Sequence, residues 1–329
     1  MERVDEVQLG GVPATVFRPG RGSGPWPAAL IVPGVTRRGR GHPAFVGMGR
    51  GLAAAGVLTA VVDAPGLTVG ELTPESLAGT RAAVEALSSR RDVRGGRVGV
   101  AGVSGGATLA LLVAGSEDLA GRLSAVIALA PCCDVRAALR LVTTDRYRQE
   151  GRLVPFHAGP FFRLVLARSA IAWLEDGPDR SSLRAHVLGL DDYGEEPLLG
   201  LRGWRADLAD DARSMVALLA NVDPERFDEL YDALPPGQRE ALDSLSPLRV
   251  AQAVSAPVEL VVARSDKYVP LEDAAAYARV CPLARMTVIE SLEHAVPRVS
   301  PAAARDLARL DGAVVRFLAA VRSTSYSGR

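Results

Sequence analysis

Apolar residues along this chain fall into short blocks separated by segments of helical period. Blocks dominated by Ala, Val, Leu and Ile lie at 28–32, 58–62, 98–103 and 125–129. Between them, residues 44–55, 74–87 and 105–114 have the spacing that predicts helices. A strand without polar alternation is buried on both faces, as in a mostly parallel sheet flanked by helices. The predicted class is therefore α/β. Residues 4–17 read as two short strands turned at Gly10-Gly11, suited to a hairpin at a sheet edge, and a Gly/Pro-rich loop follows through Pro27.

This rhythm breaks after Asp134. Residues 135–250 show helical periodicity without a convincing strand, with helices predicted over 161–174, 205–219 and 224–234. Turn-rich pieces at Asp176-Gly177-Pro178 and Pro235-Pro236-Gly237 separate them. Strand and helix then alternate again, with strands at 258–262 and 285–289 and helices at 271–280 and 301–321. The expected organisation is an α/β core made from 1–134 and 251–329, interrupted by a helical cap at 135–250.

Composition narrows the function classes. The 329 residues are 48% hydrophobic and 23% charged, enough apolar material for a substantial core. Lys and Arg together number 38, as do Asp and Glu, so no whole-molecule charge draws the chain to nucleic acid or an anionic membrane. The uncharged window 98–116 holds five glycines and three hydroxyl residues and reads as buried core rather than a membrane span. Three cysteines, two of them the neighbours Cys132 and Cys133, do not form a closed disulfide set. With no visible secretory signal at the start, the expected location is cytoplasmic.

The chemistry centres on Gly102-Val103-Ser104-Gly105-Gly106, a G-x-S-x-G pattern between a predicted strand and a predicted helix. A nucleophile on such a sharp turn has a strained backbone, and small residues two before and two after avoid collision. A serine hydroxyl needs a base to take its proton. Of His42, His157, His186 and His294, only His294 follows the last predicted strand, where the chain order Ser, acid, His puts the base. His42 is the reserve. The same order favours Asp266, after strand 258–262, as the acid that orients the imidazole, with Asp134 as its rival.

An oxyanion hole needs backbone donors from the residue after the nucleophile and from the loop after the first core strand, here Gly105 and Val35. Gly34 permits the turn that aims the Val35 amide, and Thr36 is an alternative donor. Arg37, Arg38 and Arg40 lie nearby, but in so Arg-rich a chain they read first as a solvated loop. In the insertion, Phe161, Phe162, Trp173, Trp204, Phe227 and Tyr231 are candidates to line a pocket, although burial of the cap helices is the first reading for any one of them.

With these residues in view, the chain resembles the α/β-hydrolase superfamily, most closely its dienelactone-hydrolase-like and acyl-esterase or peptidase-like branches. Besides the GVSGG segment, Leu245-Ser-Pro-Leu248 ahead of APVELVVARSDKYVP and Val62-Asp-Ala-Pro-Gly66 carry the resemblance. It implies an α/β-hydrolase fold and hydrolysis through an acyl-enzyme, with no metal and no organic cofactor. Three departures stand out. Ser replaces the Cys of dienelactone hydrolases proper, Pro33-Gly34 replaces the usual His-Gly, and the insertion matches no cap of assignable substrate.

The leading expectation is a serine hydrolase cleaving a carboxylic ester, or a related thioester or lactone, of a small-molecule acyl substrate. The alternatives are an amidase or peptidase of the same fold and a catalytically silent binder of small ligands. Homo-oligomerisation is compatible with the sequence.

Overall fold

The structure is a computed structural model that describes residues 3–204 and 207–323. It opens with β1 (Arg3–Leu9) and β2 (Val12–Arg18), an antiparallel hairpin. Its turn residues Gly10 and Gly11 have φ of 58° and 83°, the left-handed values that a two-residue turn between twisted strands requires. The alternating strand and helix units follow as β3 (Trp26–Val32), α1 (Pro43–Ala54), β4 (Leu58–Val62), α2 (Pro74–Ser88), β5 (Val93–Val103), α3 (Gly105–Ala114) and β6 (Leu123–Leu129).

One face of each central strand packs on one helical layer and the other face on a second. Along β3, Ala28, Leu30 and Val32 join the core that includes Val84 and Leu87 of α2 and Leu109 of α3. Ala29 and Ile31 point the opposite way, into a cluster with Phe45 and Ala53 of α1 and with Phe317 and Val321. Side chains alternate across a strand, so burial on both faces leaves no polar position and produces the unbroken apolar blocks seen in the sequence.

The segment that interrupts this pattern consists of α4 (Val135–Thr144), β7 (Arg146–Gln149), β8 (Arg152–Pro155), α5 (Pro160–Ala172), α6 (Pro178–Gly189), α7 (Asp210–Leu219), α8 (Phe227–Asp232) and α9 (Pro236–Ser244). It corrects the strandless expectation, since β7 and β8 pair as a separate antiparallel hairpin. Their sequences, RYRQ and RLVP, are too short, charged and half-exposed to give an apolar signal. The helix expected over 224–234 is the shorter α8. The one expected over 205–219 starts at Asp210, and its first two positions, 205 and 206, lie outside the described residues. Leu166, Ile171, Met215 and Phe227 of this segment belong to the same apolar cluster as the sheet residues Leu30 and Val100, so its interior is continuous with theirs.

The alternation resumes with β9 (Val258–Ala263), α10 (Leu271–Val280), β10 (Ala284–Ile289) and α11 (Ala303–Arg322). The eight main strands are ordered β1-β2-β4-β3-β5-β6-β9-β10. From β4 across to β10 all neighbours are parallel, and the antiparallel pairs are confined to the β1–β2 edge and its junction with β4. This is the mostly parallel, helix-flanked α/β sheet expected. Among the described residues, no helix is long and apolar enough to cross a membrane.

Candidate active site

In an open parallel sheet, the loops leaving the carboxyl ends of the central strands converge on one edge. The loops after β3, β5, β9 and β10 do so here. The turn from β5 to α3 holds Ser104 at φ 52° and ψ −121°, outside the comfortable regions for a side chain. Its surroundings enforce this conformation. A Cβ on Gly102 would lie 2.3 Å from the Gly106 carbonyl oxygen, and one on Gly106 would lie 2.1 Å from that of Val32. Only glycine fits at either place. The Ser104 amide donates to the Leu129 carbonyl on β6 at 2.8 Å, and the Ser104 carbonyl accepts from Ala107 at the same distance.

Strain recurs around the same cavity. Ala130 and His294, which line it with Ser104, also have positive φ, 52° and 57°. Each such residue costs roughly 1–3 kcal/mol and persists only where its surroundings hold it.

His294 lies in the loop between β10 and α11 and is buried. Its Nε2 is 2.9 Å from Ser104 Oγ, and its Nδ1 is 2.8 Å from Asp266 Oδ2. A carboxylate only accepts, so Nδ1 carries the proton and Nε2 is left to receive the serine hydroxyl. Asp266 is itself fixed: its Oδ1 accepts the backbone N–H groups of Tyr268 at 2.8 Å and Val269 at 3.1 Å. The Tyr268 ring meets the imidazole edge-on at a centroid distance of 4.7 Å. The three side chains named from chain order thus form one hydrogen-bonded series.

Val35 and Gly105 line the same cavity. Gly105 is the first residue of α3, so its N–H has no acceptor within the helix. Gly34 lets the loop pass close to the serine, since a Cβ there would sit 3.2 Å from Ser104 Cβ.

The remaining candidates lie elsewhere. His42 caps α1, its Nδ1 accepting the Ala44 N–H at 3.3 Å. His157 is exposed beside Asp145, and His186 packs on Trp204. Asp134 caps α4 by accepting the Ala137 N–H at 3.1 Å. Arg40 turns away to Asp63 and Glu6, Arg38 is exposed, and Arg37 reaches Asp192 at 3.3 Å. Thr36 lines a neighbouring recess. Of the six aromatic candidates named in the insertion, Phe161 and Phe162 reach the cavity. Trp173 donates to the Leu72 carbonyl, Trp204 packs at a tilt against His186, and Phe227 and Tyr231 are buried against each other.

The cavity above Ser104 leaves about 50 Å³ of free space and is bounded mainly by apolar side chains, including Leu72, Leu139, Phe161, Val165 and Leu245. Among the described residues, no Asp, Glu, Lys or Arg side chain lines it. Several of its residues escaped notice in the sequence. Tyr268 stands two positions after Asp266, a spacing that could have flagged it, whereas Leu139, Leu242 and Leu245 reach the cavity only through packing. Cys132 also lines it, but burial and the nearby carboxylates of Asp273 and Asp134 push its thiol well above the usual value, which disfavours the thiolate. All three cysteines are free. Among the described residues, no group of three or more His, Cys, Asp or Glu side chains is gathered to hold a metal ion.

No curated protein matches the sequence significantly. Solved structures share the fold at low identity. Est1E from Butyrivibrio proteoclasticus is 13% identical over 97% of this chain and 99% of its own, with a TM-score of 0.54. A Pyrococcus furiosus esterase is 13% identical over 98% and 92%, at 0.52. Proline iminopeptidase from Mycobacterium smegmatis is 14% identical over 98% and 99%, at 0.50. Residues 29–307 match the alpha/beta hydrolase family as a whole. With most of its length inside that match and the sheet order in agreement, this chain belongs to the alpha/beta hydrolase family.

Proposed function

We propose that this protein is a serine hydrolase that cleaves a carboxylic ester through an acyl-enzyme. The observation that carries the reading is the series from Ser104 Oγ to His294 Nε2 at 2.9 Å and from His294 Nδ1 to Asp266 Oδ2 at 2.8 Å, set in a buried cavity. In this reading His294 takes the hydroxyl proton as Ser104 Oγ attacks the ester carbonyl, and Asp266 stabilises the imidazolium that forms. The Val35 and Gly105 amides receive the oxyanion, for which a preorganised donor is worth about 10²–10³ in rate. His294 then gives the proton to the leaving alkoxide, and water repeats the sequence in reverse to release the acid.

The same reading makes the 135–250 segment a cap. Its Phe161, Phe162 and Val165 side chains exclude water from above Ser104. Free space of about 50 Å³ holds only a few water-sized groups, and its lining is apolar, which favours a short uncharged acyl chain. The esterase and the peptidase among the structural relatives fit attack on an acyl carbonyl.

The test is turnover of nitrophenyl esters of increasing acyl length by the parent protein, Ser104→Ala and His294→Ala. Short acyl esters are expected to be hydrolysed by the parent alone. Full activity in Ser104→Ala, or no turnover of any ester by the parent, would overturn the assignment.

A further inference from the structure

The base of the series is carried on a slender support. His294 and Ala295 form the turn of a small hairpin in which β11 (Leu292–Glu293) pairs with β12 (Val296–Pro297) through two residues on each side. A hairpin of this size has little stability of its own. Leu292 is buried, but Val296 and Pro297 are exposed, and His294 itself has a positive φ of 57°. In an acyl-enzyme the imidazole also loses one of its two hydrogen bonds. Ser104 Oγ, once acylated, has no hydrogen to donate, and the neutral ring keeps only its bond to Asp266. The outer torsion of a histidine side chain is broad, so a single hydrogen bond does not hold the ring plane, and packing has to hold it.

Tyr268 supplies that packing, and its own place is set by the insertion. The rings of Tyr268 and His294 are nearly perpendicular, at 80°, with centroids 4.7 Å apart. The same tyrosine ring meets Phe161 at 6.2 Å and Phe162 at 6.0 Å. Its backbone is tied to both regions. The Lys267 carbonyl accepts the Gly159 N–H at 3.1 Å, and the Tyr268 N–H donates to Asp266 Oδ1 at 2.8 Å. Lys267 Nζ lies 3.7 Å from Glu293, the residue before the base. Residues 267 and 268 thus stand between the start of α5 and the hairpin that carries His294.

Gly159 shows how closely the insertion is applied to this ring. A Cβ there would lie 2.9 Å from Tyr268 Cε1 and 3.4 Å from Cδ1. Backbone conformation does not call for glycine, because φ −62° and ψ 151° are extended values that any residue adopts. Space does. A methyl group at 159 would force the ring to shift, and Phe161, Phe162 and the imidazole are its neighbours.

We propose that Tyr268 is a positioning residue through which the insertion holds the His294 imidazole in line with Ser104 and with the acyl group. The inference rests on the serine-hydrolase reading for what the imidazole does, while the contacts that hold it stand on their own residues. The insertion then acts on the rate of the chemical steps as well as on which acyl groups fit. Deacylation is the more sensitive step, because the base that activates water there lacks its bond to Ser104.

Gly159→Ala is the sharpest test, since residue 159 is no part of the cavity lining and every residue of the series stays in place. With nitrophenyl butyrate, kcat is expected to fall about tenfold, given that an ångström of misplacement is worth about 10²-fold. The ratio kcat/KM, which reports acylation, should fall by about threefold or less, so that KM decreases. Tyr268→Ala should lower kcat by about 10²-fold, and Tyr268→Phe, which restores the ring, should recover most of that loss. In the Tyr268→Ala background, Gly159→Ala should cost nothing further. Unfolding midpoints show whether each variant remains folded, and if Gly159→Ala does not fold, the Tyr268→Ala and Tyr268→Phe pair carries the test.

An unchanged kcat in Gly159→Ala or in Tyr268→Ala would overturn the proposal. A Gly159→Ala loss that persists undiminished in the Tyr268→Ala background would do the same, since it would belong to α5 itself. A rise in KM at constant kcat would make the two residues determinants of access only and would also overturn it. Ser104-dependent hydrolysis with kcat unmoved by either change defeats the positioning role alone. If the parent turns over no ester, the NMR resonance of the His294 Nδ1 proton decides. Protection from exchange in the parent that is lost in both variants supports the holding contact and defeats the esterase reading, whereas protection that survives in both defeats the contact as well.

Discussion

Ser104, Asp266 and His294 sit on loops leaving the sheet, where backbone contacts dictate where each side chain points. Phe161, Phe162 and Val165 reach the same cavity from α5, whose position depends on apolar burial. In the first region, geometry is specified to the ångström by glycine contacts, positive φ and amide donors. In the second, volume and hydrophobicity are the requirements, and many arrangements of side chains satisfy them. The comparison teaches that a polar exchange of equal size should damage the loops in function alone, while a truncation in the insertion should damage stability first.

The sharpest form of that contrast is Asp266→Asn. The side chain keeps its size, but one of its two acceptors becomes an amide donor facing either the imidazole or the Tyr268 and Val269 N–H groups. The imidazole loses the partner that fixes its tautomer. We expect kcat to fall by roughly 10⁴-fold, with the unfolding midpoint moving little. A midpoint loss as large as that of a core truncation, with activity retained per folded molecule, would reverse the contrast.

Leu183→Ala is its counterpart in the insertion. Leu183 on α6 is fully buried within the common apolar cluster and lines none of the cavities described above. Truncation should cost about 2–5 kcal/mol in denaturant unfolding. Turnover by the protein that remains folded should match the parent. A variant that is fully stable but inactive would mean that α6 governs the chemistry rather than the packing.

The same division decided what could be read from the sequence. Strands buried on both faces announce themselves as apolar blocks, so β3, β4, β6, β9 and the second half of β5 were each legible, while the half-exposed edge strand β10 was legible from its place in the strand and helix alternation. The residues near Ser104 were legible because a sharp turn demands glycine at 102 and 106, and because the fold orders its chemistry along the chain. The β7–β8 hairpin was not, since four-residue strands rich in Arg have neither length nor alternation to betray them. Nor does composition show that Arg40 turns to Asp63 while Arg140 stays buried with a free N–H; partner choice among so many arginines is decided by tertiary packing. The edge-on contact of Tyr268 with His294 belongs to the same class.

Phe162→Ala probes the boundary between the two regions, where volume rather than polarity should set the outcome. Removing the ring joins the small apolar cavity to a larger one that Phe162 also lines. Longer acyl esters should gain about tenfold in kcat/KM relative to butyrate, the scale of one or two methylene groups in an apolar pocket. An unchanged chain-length preference would show that α5 does not size the acyl site.

The smallest effect expected is in acid. Burial alone would raise the Asp228 carboxyl, but hydrogen bonds from Arg136 and Arg140, with their charges, outweigh it and bring the group down to about 2. A carboxyl depressed in the folded state adds stability that is present above its unfolded value near 4 and disappears as the pH falls toward 2. The side chain is 40% exposed, so solvent screening limits the pH-linked part to less than about 1 kcal/mol. The stability difference between the parent and Asp228→Asn should therefore narrow from about pH 6 to about pH 2. A difference that widens on acidification would mean that Asp228 titrates above its unfolded value and that Arg136 and Arg140 fail to hold it charged.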